Sequence, residues 1–219
     1  LRRRQRQMCI RDRYIDGGLV PVALALEELG FVRHGSVPSL FEKPPAQRIN
    51  SVTFEPLAQG KGGRPASYVM ITGDKAISPD NLADFIAATN TNNSDGSVVK
   101  VVLLSQAGGQ GLDFSNIRQV HILEPWYNMN RAEQVIGRGV RSCSHKSLPF
   151  AKHNVQIFLH GTWLSSSQEG RTDESENEEA ADLYVYRVSE AKAVQIGRVS
   201  RVLKEISVDC LLNTEQQNF

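Results

Sequence analysis

The chain has 219 residues, of which 40% are hydrophobic, and its 25 Lys and Arg residues nearly balance its 24 Asp and Glu residues. This length and apolar content exclude a disordered tail and a disulfide-stapled miniprotein, and they predict one soluble globular domain with a decorated end. The longest apolar run, Leu19 to Leu26, is far shorter than the roughly 20 residues of a membrane-spanning helix, so we expect no membrane partner.

The three cysteines, Cys9, Cys143 and Cys210, are widely spaced, and none has the CxxC or paired-histidine spacing of zinc ligands. Their odd number does not favour a disulfide framework. We therefore expect reduced thiols, no metal site and an intracellular protein.

A basic arm, residues 1–13, holds six of the 25 basic residues and one of the 24 acidic ones, which leaves the rest of the chain 19 basic against 23 acidic residues, a net charge of −4. One interpretation is an arm that grips phosphate groups. We favour a foreign segment, because the string from Arg4 to Arg13 resembles translated sequencing-adapter read-through. On that interpretation the arm takes no part in the fold.

The next elements are read from apolar periodicity and turn residues. Leu19 to Leu29 is predicted to be a buried helix, and residues 46–65 are predicted to be irregular. A short strand is expected over Ser67 to Thr72. A second helix is expected over Asn81 to Thr89, with Ser78 as the residue that caps its start.

Three apolar runs then predict strands on either side of a helix. Val98 to Leu104 is rich in β-branched residues and predicts a central strand, and Gln119 to Leu123 and Asn154 to His160 predict two more. A helix over Arg131 to Arg141 separates the last two. This alternation predicts a mostly parallel sheet with helices on both faces, in which functional groups lie beyond the carboxyl ends of the strands.

The turn from Ser105 to Asp113 follows the central strand and contains Gly108, Gly109 and Gly111. Glycine lets backbone amides approach phosphate closely and form an anion-binding nest. The turn is not a dinucleotide fingerprint, because Phe114 stands at the third glycine position. The chain also lacks a GxxxxGK[ST] loop, so it has no phosphate cradle of its own.

The helix predicted over Arg131 to Arg141 carries the most specific side chains. Asn130 and Glu133 are predicted to form a variant capping box at its start. Gln134, Arg138 and Arg141 fall at i, i+4 and i+7, so we expect all three on one face, where two guanidinium groups suit a triphosphate. The alternative interpretation is a solvated basic face.

The C-terminal part changes character twice. Residues 169–182 carry seven carboxylates against the single Arg171, which predicts a solvated loop without the spacing of a calcium site. From Ala180 onward apolar residues recur at helical intervals, which predicts a long helix with Gly197 as a candidate break point.

Three stretches in fixed order carry a resemblance to a known family: Ser105 to Asp113, Glu124 to Asn128, and Gln134 to Arg141. They resemble motif V, the intervening strand and loop, and motif VI of superfamily 2 helicases, and among these the Swi/Snf-type translocases. Ser144 to Phe150 and Ala181 to Arg187 more narrowly resemble the helicases of nucleocytoplasmic large DNA viruses, in the nucleoside triphosphatase I and early transcription factor ATPase group.

The resemblance extends over residues 14–219 and implies the second RecA-like, P-loop NTPase-like domain of a two-domain motor. The implied boundaries are 14–163 for this α/β domain, 164–182 for a flexible acidic loop and 183–219 for a C-terminal helical extension. ATP with Mg²⁺ would be held mainly by the first motor domain, the expected partner in cis.

The resemblance also implies roles in ATP hydrolysis. Arg141 would act as an arginine finger on the γ-phosphate, with Arg138 beside it and Gln134 orienting the attacking water or the phosphate. Gly111 and Asp113 would couple the nucleotide to the glycine-rich turn. Such a finger contributes about 10³–10⁵ in rate, because phosphoryl transfer depends mainly on positioned charge.

A second set of residues is implied to contact nucleic-acid backbone: Thr72, Ser105, Gln106, Gly108, Gly109 and Trp126. Gln106 departs from the family pattern, which often has arginine there. Trp126 has two interpretations, stacking on a base and packing against the neighbouring helix. The family also has a hydrophobic strand before Tyr14, where this chain has the basic arm, so we predict a missing or poorly formed first strand and a marginally stable domain.

The expected function is that of a second motor domain of an ATP-dependent DNA helicase or translocase, viral, transcription-linked and inactive alone, with RNA as the alternative nucleic acid. A different hypothesis is a non-catalytic module whose C-terminal helix docks on RNA polymerase or transcription factors. A self-contained nucleotide enzyme is disfavoured by the absent phosphate loop. The expected location is a viral factory or virion, or the cytoplasm or nucleus if the source is not viral.

Overall fold

The structure is a computed structural model that describes residues 7–12, 14–57, 63–106, 111–162 and 179–208. The chain divides into two compact units, one formed by Leu1–Glu124 with Gln134–His160 and the other by Pro125–Glu133 with Gly161–Phe219. The predictions for Gly108, Gly109, Cys210 and most of the acidic loop fall outside the described residues.

The first unit contains a six-stranded sheet in the order β2-β3-β4-β1-β5-β6, and every neighbouring pair is parallel. Its strands are β1 (Gln7–Arg11), β2 (Val32–Arg33), β3 (Ser67–Ile71), β4 (Val101–Leu104), β5 (Ile117–Ile122) and β6 (Gln156–Leu159). The helices that alternate with them are α1 (Val20–Glu28), α2 (Asn81–Thr89) and α3 (Met129–Gly139). The predicted RecA-like α/β fold is confirmed.

The core lies around α1 and the middle of the sheet. Every residue of β3 and β4 is buried, as expected of parallel strands covered on both faces. Leu19, Ala23 and Leu26 pack in one cluster with Phe31 and with side chains of the three central strands, namely Ile10, Tyr68, Met70, Val101 and Leu103. The helix predicted over Leu19 to Leu29 therefore forms, but the prediction that it is buried nearly all round is wrong, because α1 buries one face and exposes Pro21 and Ala25.

The prediction of a missing or poorly formed first strand is wrong. Gln7–Arg11 forms β1 in the centre of the sheet, with β4 on one side and β5 on the other. Cys9 and Ile10 are buried, and the Gln7 side chain donates to the carbonyl of Ala88 at 2.9 Å. Backbone pairing on two sides and a short apolar centre suffice for a strand, whatever the origin of the segment. The expected marginal stability stays a prediction.

Two helix details differ from the sequence prediction. Asp80, and not Ser78, caps α2, since its carboxylate accepts from the amide of Ala83 at 3.0 Å. Ser78 is buried and bonds to Thr72 instead. The long C-terminal helix, α4 (Ala181–Glu205), runs through Gly197 without a break.

The second unit consists of the start of α3 with its preceding loop and of α4. Asp182 joins two parts of this unit, because its carboxylate accepts from the amide and the hydroxyl of Thr162 at 2.9 and 2.6 Å. Arg187 and Glu179 form an ion pair at 2.7 Å near the start of α4. Within the described residues, no helix is both long enough and apolar enough to cross a lipid bilayer.

Lys100, just before β4, is fully buried, and its ammonium group lies 3.4 Å from the carbonyl oxygen of Asp95. Burial lowers its pKa from 10.5 to about 8, and the Asp95 charge offsets only part of this effect. The folded chain thus holds this proton less tightly than the unfolded chain, so stability should rise as the pH rises from 8 to 10.5. We expect Lys100→Met to stabilise the chain at pH 7 by roughly 1–3 kcal/mol and to flatten this rise.

Urea unfolding at pH 7 and near pH 10 measures both effects. Exposed Lys43 provides the matched control, since Lys43→Met removes a solvated charge. An equal pH dependence of the two variants would contradict the assignment of the alkaline rise to Lys100.

Candidate nucleotide and nucleic-acid site

The helix that carries the predicted arginine pair is shorter than expected. It begins at Met129, which places Asn130 inside the first turn and not at the cap, and it ends at Gly139, before Arg141. Gln134 and Arg138 are therefore one turn apart on one face, but the prediction that Arg141 shares that helical face is wrong. The glycines in the last turn explain the early end, because glycine has low helix propensity.

Gly139 also explains where the end of α3 lies. A Cβ atom at this position would stand 2.7 Å from Val120 Cγ2 and 3.5 Å from Ile117 Cγ2, both on β5. Only glycine allows this approach without a shift of the neighbours. The segment that carries Arg138 and Arg141 is therefore held against β5 between Ile117 and Val120.

Both arginines bond to the segment that follows the glycine-rich turn. Arg138 Nη1 donates to the carbonyl oxygen of Leu112 at 2.9 Å, and Arg141 Nη1 lies 2.5 Å from Asp113 Oδ2. Arg138 is half-buried, and its Nε has no hydrogen-bond partner among the described residues. The structure thus joins the helix segment of Arg138 and Arg141 to Leu112 and Asp113, and it leaves the Arg138 Nε without a partner among the described residues.

The pair formed by Arg141 and Asp113 is a surface contact. The two side chains are 51% and 62% exposed, and an ion pair of this exposure contributes about 0–1 kcal/mol. Arg141 could exchange the carboxylate for a phosphate group at little cost. Neither arginine is buried in an internal ion pair, which would have excluded a role in binding a ligand.

The predicted nucleic-acid contacts gather at the carboxyl ends of β3 and β4. Thr72 follows β3 and is fully buried; its hydroxyl lies 2.6 Å from Ser78 Oγ, and its carbonyl accepts from Asn81 Nδ2 at 2.6 Å. Ser105 follows β4 and its amide donates to the carbonyl of Ile71 at 3.2 Å. The structure brings Thr72 and Ser105 close together, with the Thr72 hydroxyl engaged inside the turn.

The remaining candidates are spread over the loops. Gly111 is exposed with a φ of 75°, a conformation that favours glycine, and Gln106 is half-buried. In the second unit, Trp126 is half-buried and the guanidinium of Arg131 lies 4.6 Å from the centre of its ring. This contact follows the packing interpretation of Trp126, and its stacking on a base stays a prediction.

Thr72 and Ser105 lie at the opposite end of the strands from Arg138 and Arg141. Because β4 and β5 are both parallel to β1, the segment 105–116 must return from the carboxyl end of β4 to the amino end of β5. Thr72 and Ser105 lie at the first end, and Arg138 and Arg141 lie near the second. Thr72 and Ser105 therefore follow the carboxyl ends of their strands, whereas the two arginines do not, and the roles of both groups stay predictions.

His145 has a structural role beside Arg141. His145 is buried, and its Nε2 donates to the carbonyl of Ile117 at 2.7 Å, since a carbonyl can only accept. The amide of Asn116 donates to the carbonyl of Ser144 at 3.0 Å. A histidine in a polar segment gives no signal of this burial in a single sequence.

The donor set at the arginines fits phosphate and does not fit a metal ion. Guanidinium groups are phosphate ligands, whereas Mg²⁺ requires several oxygen ligands. Among the described residues no three His, Cys, Asp or Glu side chains form a metal-binding group, and Asp113 is paired with Arg141. The geometry therefore suits phosphate groups.

Residues 62–143 match the model of the helicase conserved C-terminal domain. This range includes β3, β4, β5 and α3, and it includes every residue of both candidate sets. The elements before β3 and the loop after Cys143 lie outside it. The resemblance to helicases that the motifs carry is thereby confirmed.

Similar proteins occur in large DNA viruses. An Acanthamoeba polyphaga mimivirus protein named as an ATP-dependent RNA helicase is 36% identical over 124 residues, which cover 57% of this chain and 15% of the relative. An Invertebrate iridescent virus 3 protein named as a helicase is 27% identical over 204 residues, 92% of this chain and 18% of the relative. A homologue of termination factor NPH-I from African swine fever virus is 46% identical over 68 residues, 31% of this chain and 10% of the relative. The chain thus spans less than a fifth of the length of each of these relatives.

Proposed function

We propose that this chain, which carries the conserved C-terminal domain of helicases, acts as the second motor domain of an ATP-dependent helicase or translocase. In this role it completes an ATP site formed mainly by a first motor domain. It supplies Arg141 as the arginine finger, Arg138 as a second phosphate ligand and Gln134 as the group that orients water or phosphate.

The observation that carries this proposal is the joint attachment of Arg138 and Arg141 to Leu112 and Asp113. Two guanidinium groups beside one carboxylate leave an excess positive charge at a surface, where a polyanion can enter. The Nε of Arg138 is buried and has no acceptor among the described residues. Charge positioned in this way is what phosphoryl transfer requires of the protein.

ATP and Mg²⁺ fit this role only in part. The arginines would hold phosphate oxygens, and the described residues offer no oxygen cluster for the metal. We assign Mg²⁺ and the phosphate-binding loop to the first motor domain, the partner in cis. When bound, Mg²⁺ would neutralise charge on the β- and γ-phosphates.

The nucleic-acid side of the proposal rests on the carboxyl ends of β3 and β4. There Ser105 and Gln106, with Gly108 and Gly109 outside the described residues, would contact the sugar-phosphate backbone, and Thr72 would support the adjacent turn. DNA is the proposed substrate, with RNA as the alternative that the name of the mimivirus relative favours. The termination factor among the relatives supports a role in viral transcription with RNA polymerase or transcription factors as partners, in a viral factory or virion.

A second candidate function is supported by α4. The helix exposes a series of apolar side chains, with exposed fractions of 52–61% at Val194, Val199, Val202 and Leu203. Exposed apolar residues in such a series are typical of protein-binding surfaces. A non-catalytic docking module would bind its partner equally well after both arginines are replaced.

The proposal is tested by joining residues 1–219 to a first motor domain taken from a two-domain helicase. We expect the chain alone to hydrolyse no ATP, and the joined protein to show ATP turnover stimulated by double-stranded DNA or, in the alternative, by RNA. A folded joined protein that binds nucleic acid without any stimulated turnover would contradict the motor function. Turnover by the chain alone would favour a self-contained enzyme.

A further inference from the structure

A groove of about 420 Å³ opens beside Arg141, at the edge of the sheet where β5 and β6 begin. Its lining comes from the loop after α3 and from the approach to β6, namely Val140, Arg141, Cys143, His145, Lys146, His153, Asn154 and Val155. The volume lies in the range of small-molecule sites. All these residues belong to the first unit.

The groove is positively charged. Arg141 and Lys146 are both exposed cations, and no acidic side chain is among the residues that line the groove. Asp113 contacts Arg141 without lining the groove, so one carboxylate faces two permanent positive charges. A concave surface with this charge balance attracts an anion.

The base of the groove is held rigidly. Besides the bonds of His145 to Ile117 and of Asn116 to Ser144, Ser147 Oγ donates to Asn116 Oδ1 at 2.8 Å. On the opposite wall, Arg118 Nη2 donates to Asn154 Oδ1 at 2.6 Å. A site whose walls are fixed before binding loses little conformational entropy when its ligand binds.

Backbone strain is concentrated at the same place. In the part of the chain that the structure describes, three residues other than glycine have a positive φ, and two of them have a φ of 63°. These two are Asn116, which bonds to Ser144 and Ser147 at the base of the groove, and Cys143, which lines the groove. Such conformations persist where the surroundings over-determine them, which is common at ligand sites. The hydrogen bonds of Asn116 and His145 explain how the two strained backbone conformations are maintained. A ligand site explains why the strained residues occur at this groove.

We propose that this groove binds phosphate groups of a nucleotide and that Lys146 is a phosphate ligand beside Arg141. A lysine ammonium offers a compact charge to phosphate, while Arg141 offers a planar fork. Nucleotide is favoured over nucleic acid because the predicted backbone contacts, Thr72 and Ser105, lie at the opposite end of the strands. The identity of the ligand rests on the proposed motor function, whereas the phosphate site itself does not.

Cys143 provides a probe inside the groove. It is exposed, whereas Cys9 is buried and burial raises the pKa of its thiol to about 12, so Cys9 should not react. In a Cys210→Ser background, Cys143 is alkylated with iodoacetamide in increasing concentrations of pyrophosphate. We expect pyrophosphate and ATP to slow the reaction, and Lys146→Gln to raise the half-protecting concentration roughly fivefold, the effect of losing one exposed charged contact.

Lys152→Gln is the matched control, because it removes the same charge six residues away without touching the groove. Equal protection in the Lys146→Gln and Lys152→Gln chains would overturn the assignment of Lys146. Protection by a single-stranded oligonucleotide but not by pyrophosphate would overturn the nucleotide assignment. Protection that persists while Arg141→Ala leaves ATP turnover of the joined motor unchanged would support the groove and reject only the arginine finger.

Discussion

Replacing Arg141 by alanine is expected to lower ATP turnover on the order of 10³-fold or more in the motor assembled from this chain and a first motor domain. The Arg141 guanidinium lies 2.5 Å from the Asp113 carboxylate at the surface. We propose that it exchanges this partner for the γ-phosphate, where it stabilises the negative charge that develops on the leaving group. The measurement is steady-state ATP hydrolysis with saturating nucleic acid. The loss should appear in kcat, since the contact forms fully only in the transition state.

Two further variants make this result specific. Arg201→Ala removes an exposed arginine that also pairs with a carboxylate, Glu205 at 3.1 Å, and should leave turnover unchanged. Arg141→Lys keeps the charge but loses the planar fork, so it should remain strongly impaired. Turnover of Arg141→Ala within a few-fold of the unmodified motor would reject the finger.

The second large effect is expected in folding, at Glu27 in α1. Its fully buried carboxylate accepts from Tyr68 Oη at 2.6 Å, from Ser39 Oγ at 2.5 Å and from the amides of Leu40 and Phe41, each at 3.0 Å. Glu27→Ala would leave a buried hydroxyl and two amides without an acceptor. We expect a loss of about 3–5 kcal/mol, a large part of the stability of a domain of this size.

The neighbouring Glu28 is exposed on the same helix, so Glu28→Ala should change the urea midpoint little. The loss of stability at low pH gives a second test of Glu27. Burial alone would raise the pKa of Glu27, but the hydrogen bonds from Ser39, Tyr68 and the two amides outweigh it and hold the pKa below 4.5. This contribution is therefore present above pH 4.5 and lost as the pH falls through the lower folded value. Equal urea midpoints for the two alanine variants would contradict the role of Glu27.

Long apolar runs and glycine-rich turns were sufficient to predict most of the fold. The run from Val98 to Leu104 produced β4, and the alternation with helices produced an all-parallel sheet. Helix ends were less predictable, because they depend on neighbours. Asp80 took the cap from Ser78 because Ser78 is buried against Thr72, and α3 stops where Gly139 meets β5.

The candidate site was predictable as a set of residues and not as an arrangement. The structure bonds Arg138 to Leu112 and Arg141 to Asp113, and no sequence pattern predicted these two contacts. The hydrogen bond from His145 to Ile117 could not be predicted, because the acceptor is a backbone carbonyl 28 residues away. Backbone acceptors of this kind leave no trace in side-chain patterns.

The central position of β1 has a practical consequence for any shortened version of this protein. A recombinant polypeptide starting at Tyr14 would lack the strand that pairs with both β4 and β5, and it would leave the facing edges of these two strands unpaired. Such a truncation invites self-association through those edges. Main-chain pairing depends little on most side chains, so an added extended peptide with an apolar centre like Met8, Cys9 and Ile10 could take the place of β1 between β4 and β5. The position of β1 is therefore suitable for split-protein complementation.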